Sequence, residues 1–111
     1  MNIANFSPIV SQVTAPVIGE LTDRSQVLTG STNYIVAPAK TSRGYFIFQN
    51  ISDATMWLNF GAAATANNNS IYVAAQGSVL FNGSFIPNQS ITVLCPTASA
   101  ESPKRFVAKE G

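Results

Sequence analysis

The chain has 111 residues, with six Lys and Arg against five Asp and Glu, no His and a formal net charge of +1. That length suits one domain and is too short for two. So small a net charge gives no electrostatic footprint for nucleic acid, and the absence of His removes the commonest acid–base group.

The deficit in charge says more than its balance. Charged residues make up 10% of the chain and apolar residues 46%, where an average protein has about a quarter charged. A small monomer in free solution normally carries a charge-rich surface. A surface of Ser, Thr, Asn, Gln and Ala suits a protein packed against others, with an ordinary uncharged monomer surface as the alternative. Cys95 is the one cysteine, so an internal disulfide is excluded, and within Ile91-Thr92-Val93-Leu94-Cys95 it reads as a small buried hydrophobe. No apolar run approaches the roughly 20 residues of a membrane span. Met1-Asn2-Ile3-Ala4-Asn5 lacks the basic region and apolar core of a signal peptide, so synthesis in a cytoplasm is expected.

Residues 1–18 read as an extended N-terminal arm, and residues 19–111 as the domain. Pro8 and Pro16 disfavour a helix in the arm. Its apolar residues Ile3, Phe6, Ile9, Val10 and Val13 need cover from this domain or a neighbouring subunit, which makes them the candidate interface. An edge strand with a frayed end is the plainer alternative.

A short strand is expected over Val17–Leu21, then turn residues from Thr22 to Ser25, then strands at Val27–Thr29 and Asn33–Ala37, the second stopped by Pro38. The centre of the chain is Arg43 to Gly61. Tyr45–Gln49 is aromatic and β-branched, with Tyr45 and Ile47 on one face and Phe46 and Phe48 on the other. A strand apolar on both sides is normally covered on both. Met56, Leu58 and Phe60 alternate with Trp57 and Asn59, so the two runs read as a β-hairpin closed by about five loop residues, Asn50–Ala54. The Ala- and Asn-rich segment 62–69 reads as a loop. Strands follow at Ser70–Ala74 and Ser78–Phe81, continuing through Phe85-Ile86 to Pro87 after the Asn82-Gly83 turn. Ser90–Cys95 and Arg105–Lys109 close the series, with Lys104-Arg105 and the flanking Glu101 and Glu110 read as a solvated tail. About eight short strands at regular spacing, with no helical apolar period, are the pattern of an all-β sandwich or barrel.

The chemistry on offer is meagre. Glu20, Asp23, Asp53, Glu101 and Glu110 show no paired spacing, Cys95 has no His to activate it, and the glycines are isolated rather than grouped in a phosphate loop. No cofactor or metal site and no enzymatic activity is expected. Trp57 with Tyr34, Tyr45 and Tyr72 would suit stacking on sugars. Core packing is the simpler role for aromatics in a small β protein.

The run Arg43…Phe46-Ile47-Phe48-Gln49-Asn50-Ile51-Ser52-Asp53…Met56-Trp57-Leu58-Asn59-Phe60-Gly61-Ala62-Ala63-Ala64-Thr65 resembles small virion proteins of tailed bacteriophages. Gln76-Gly77, Phe85-Ile86-Pro87 and Val107-Ala108-Lys109-Glu110 extend the resemblance over about residues 43–110. It implies a small β-sandwich, jelly-roll-like, serving as a capsid decoration or cement protein. Such a protein sits on the virion's outer surface as a homotrimer or homodimer and clamps the major capsid protein. A head-fibre base or tail component is the alternative within the virion, and a carbohydrate-binding module the alternative outside it.

Overall fold

The computed structural model describes residues 20–67 and 69–111. The arm residues Ile3, Phe6, Ile9, Val10 and Val13 lie outside the described residues, as does most of the strand expected at Val17–Leu21. Among these residues there are nine strands: β1 (Thr22–Asp23), β2 (Gln26–Leu28), β3 (Tyr34–Ala37), β4 (Tyr45–Asn50), β5 (Met56–Phe60), β6 (Ile71–Val73), β7 (Ser78–Asn82), β8 (Ile91–Leu94) and β9 (Lys104–Glu110). No helix occurs among the described residues.

The pairings follow one rule. β2 pairs with β9, β3 with β8, β4 with β7 and β5 with β6, all antiparallel. The chain is thus one long hairpin, out along β2–β5 and back along β6–β9. Further pairing of β4 with β9 and of β5 with β8 rolls it into two sheets. The first sheet runs β1-β9-β4-β7, with β2 also on β9, and the second runs β3-β8-β5-β6. This is a jelly-roll sandwich, the all-β class that the strand spacing implies.

Period-2 alternation places the core between the sheets. Phe46 and Phe48 of β4, Phe106 and Ala108 of β9, Met56 and Leu58 of β5, and Ile91 and Val93 of β8 all point inward and are buried. Phe48 stacks on Phe106 with centroids 4.8 Å apart. Each fully buried Phe, Leu or Ile contributes about 1.5–3 kcal/mol by removal from water. Cys95 is buried in the same cluster.

Five expectations are corrected. β4 and β5 are not a hairpin: β4 belongs to the first sheet and β5 to the second, so residues 51–55 arch across the sandwich. The arch is held by Asn50, whose buried side-chain amide donates to the carbonyls of Ala54, Val73 and Ala74 and accepts from the Ser52 N–H and hydroxyl. Phe85-Ile86 form no strand, and the expected turn at Thr22-Asp23 is β1, paired with the end of β9. The strand expected at Arg105–Lys109 is the seven-residue β9, between β4 on one side and β1 and β2 on the other, but Lys104 and Glu110 at its ends, read as solvated, are buried. Its terminal Gly111 donates to the Tyr45 carbonyl and accepts from the Gly44 and Tyr45 N–H groups. Finally, β4 is covered on its inner face, while Tyr45 and Ile47 on its outer face are only half-buried; Ile47 is flanked in register by the exposed Leu80 and by Lys109.

Candidate binding surface

The scarce charges are drawn into the frame. Arg43, with its side chain 0% exposed, donates through Nε to Glu110 at 2.7 Å. Its terminal nitrogens donate to the carbonyls of Pro38, Pro87 and Gln89, joining the β3–β4 link and the β7–β8 loop to the end of β9. Arg24 takes the other Glu110 oxygen at 2.8 Å. Burial pushes the Glu110 carboxyl up, but the hydrogen bonds and charges of Arg43 and Arg24 outweigh it and hold the group below its ordinary range. Lys109 lies 3.7 Å from Asp23, whose carboxyl is lowered first by hydrogen bonds from Ser25 and then by that ammonium. With the pair of Lys104 and Asp53, these contacts engage seven of the eleven ionised side chains. Glu20, Lys40, Glu101 and Arg105 remain outside them.

The outer faces keep apolar side chains in contact with water. Ile35 on β3, Ile71 and Tyr72 on β6, Val27 on β2 and Leu80 on β7 are exposed on edge strands, and Phe85 is exposed in the β7–β8 loop. Phe85 extends an edge-to-face series from Phe60 through Phe81.

Several concave sites interrupt this surface, and one of them is lined by aromatic side chains. A groove of about 450 Å³ is lined by Asp53, Ala54, Thr55, Trp57, Tyr72, Pro96, Thr97 and Lys104. Trp57 on β5 stands directly opposite Tyr72 on β6 and Leu94 on β8, facing away from the core. The Trp57 and Tyr72 rings meet near a right angle, 81°, with centroids 5.2 Å apart. Thr55 Oγ1 donates to the Tyr72 hydroxyl at 3.4 Å. At one end Lys104 reaches from β9 to donate to Asp53 Oδ1 at 2.6 Å, and that hydrogen bond and charge lower the Asp53 carboxyl.

Core packing is therefore the wrong role for Trp57 and Tyr72. Tyr34 does pack against the core and accepts from the Thr29 N–H. The structure brings Trp57 and Tyr72 together but leaves Tyr45 on the other sheet. Asp53, Thr97 and Lys104 escaped the sequence reading because they meet only through the arch and the long β8–β9 connection. No three His, Cys, Asp or Glu residues gather into a metal-binding group among the described residues. The described side chains offer surfaces for contact and, beside Trp57 and Tyr72, a groove with both aromatic and polar walls. Compared with protein-family models, curated proteins and solved structures, the chain finds no match.

Proposed function

We propose that this protein is a non-enzymatic structural component of a tailed-phage virion, a capsid decoration protein that binds the outside of the head and bridges major capsid subunits. The observation that carries the reading is the disposal of charge. Arg24, Arg43, Lys104, Lys109, Asp23, Asp53 and Glu110 are engaged with one another, and apolar side chains such as Ile35, Leu80 and Phe85 stand in water. A surface poor in charge but bearing apolar residues costs less to desolvate against a partner. The jelly-roll frame and the sequence resemblance over residues 43–110 support the same reading. A protein of this kind binds the assembled shell and not the free subunit, so it stabilises the shell by mass action. The partners are the major capsid protein and further copies of the chain, as a trimer or dimer, with the apolar arm of residues 1–18 reaching a neighbour. Electron microscopy of particles with and without the protein tests the reading. Density for the sandwich over capsid subunits is expected. Density at a fibre base or on the tail would move the protein elsewhere in the virion, and absence from the particle would overturn the reading.

A further inference from the structure

We propose that the groove beside Trp57 and Tyr72 binds an uncharged sugar ring, so that the sandwich carries a saccharide site of its own, independent of any role in assembly.

Three features point to that ligand. The first is the aromatic corner. The face of an aromatic ring carries partial negative charge and attracts the weakly positive C–H face of a pyranose. Trp57 and Tyr72, set nearly perpendicular, offer one ring to lie under a sugar and another to wall it. The pair is open to a ligand: Tyr72 is 59% exposed on an edge strand, and neither ring belongs to the core. The second is the density of hydrogen-bonding groups in a small space. The Asp53 carboxylate, the Lys104 ammonium and the hydroxyls of Thr55, Thr97 and Tyr72 share one groove of about 450 Å³. That lies within the usual range for small-molecule sites, about 300–1,000 Å³. A carboxylate accepts from two vicinal hydroxyls, and the ammonium keeps donors beyond the one given to Asp53. The third is electrostatic. Asp53 and Lys104 sit 2.6 Å apart, so their charges cancel within the groove. A phosphate or an acidic sugar would meet the Asp53 carboxylate, while a neutral polyol uses both groups as hydrogen-bond partners. A proline-rich peptide also docks on aromatic residues, but it needs a longer aromatic-lined track and fewer clustered polar groups.

The test uses a built-in reporter. Trp57 is the one tryptophan of the chain, so its fluorescence reads the groove alone. The intact protein is titrated with neutral oligosaccharides containing glucose, galactose, mannose or N-acetylglucosamine, with sialylated glycans and a proline-rich peptide as comparisons. A saturable change in Trp57 emission is expected for at least one neutral glycan. Kd for a single hexose is about 1 mM, from the affinity per atom of ordinary ligands. Asp53→Asn, at a side chain 83% exposed, removes the charge at the polar end while keeping an acceptor for Lys104, and is expected to weaken binding about tenfold in protein shown by its melting curve to be folded. Tyr72→Ala is expected to abolish the response at the same concentrations. No response to any neutral glycan up to roughly 10 mM overturns the proposal. So does binding confined to the sialylated glycans or the peptide, or binding that Asp53→Asn leaves unchanged.

Discussion

Replacing Arg43 with Ala strikes the point where most of the frame converges. The guanidinium is fully buried and donates to Glu110 and to the carbonyls of Pro38, Pro87 and Gln89. Removing it leaves a buried carboxylate with only the half-exposed Arg24 for a partner. Breaking a buried pair by deleting one member costs about 3–5 kcal/mol, chiefly because the survivor is an uncompensated charge. Of the orphaned carbonyls, those of Pro38 and Gln89 are part-buried and regain water, while the buried Pro87 carbonyl adds to the loss. For a domain of this size that corresponds to a fall in Tm of about 15–30 °C. The pH dependence also changes. With Arg43 gone, burial is opposed by Arg24 alone, and the Glu110 carboxyl rises from its lowered position in the parent. The variant then gains stability relative to the parent as pH falls through the ordinary carboxylate range. Differential scanning calorimetry of Arg43→Ala and of Arg43→Met with Glu110→Leu checks both points. The double replacement is expected to recover much of the loss, since an apolar pair removes the stranded charge. A single variant melting within a few degrees of the parent would refute the assignment of Arg43 and Glu110 as the joint of the sandwich.

Other expectations follow from the same frame. The carboxyls of Glu110, Asp53 and Asp23 are all held below their ordinary values of 4.5, 3.8 and 3.8. Their stabilisation is complete above those values and is lost as pH falls through the lowered ones. Tm is therefore expected to stay level from about pH 5.5 to 7 in a chain without His, and to fall below about pH 4; a plateau extending to pH 2 would contradict this. Asn50→Ala removes the donors to Ala54, Val73 and Ala74 and the acceptor for Ser52. Its expected cost is about 2–3 kcal/mol in chemical denaturation, from buried polar groups left without partners. Gly83 has φ +83° with nothing within 4 Å of an added Cβ, so Gly83→Ala is expected to cost about 1 kcal/mol through backbone strain alone, and Gly83→Asn less.

Most strands were legible because their residues suit a pleated surface and Gly, Pro and Asn punctuate them; β3, β5, β7 and β8 fall where the apolar runs lie. Strand partners were not legible. A five-residue polar link closes a hairpin or arches between sheets with equal ease, and what decides here is the Asn50 amide meeting carbonyls of Val73 and Ala74, more than 20 positions away. The last strand was legible over Arg105–Lys109, but the same long-range effect hid the burial of its two ends. Lys104 and Glu110 look like tail residues until Asp53 and Arg43 supply their counter-charges. The groove was half legible. Trp57 and Tyr72 were marked as sugar-stacking types, but alternation alone could not say which face of β5 the core would take. The arm residues Ile3, Phe6, Ile9, Val10 and Val13 remain an expectation from their pattern in the sequence.

The proposed role in assembly is tested most directly by adding purified protein to phage heads that lack it and heating both sets. Heads carrying the protein are expected to release their contents at a higher temperature, with a rise that saturates as the protein concentration passes its Kd. Heads that open at the same temperature with and without saturating protein would contradict the account.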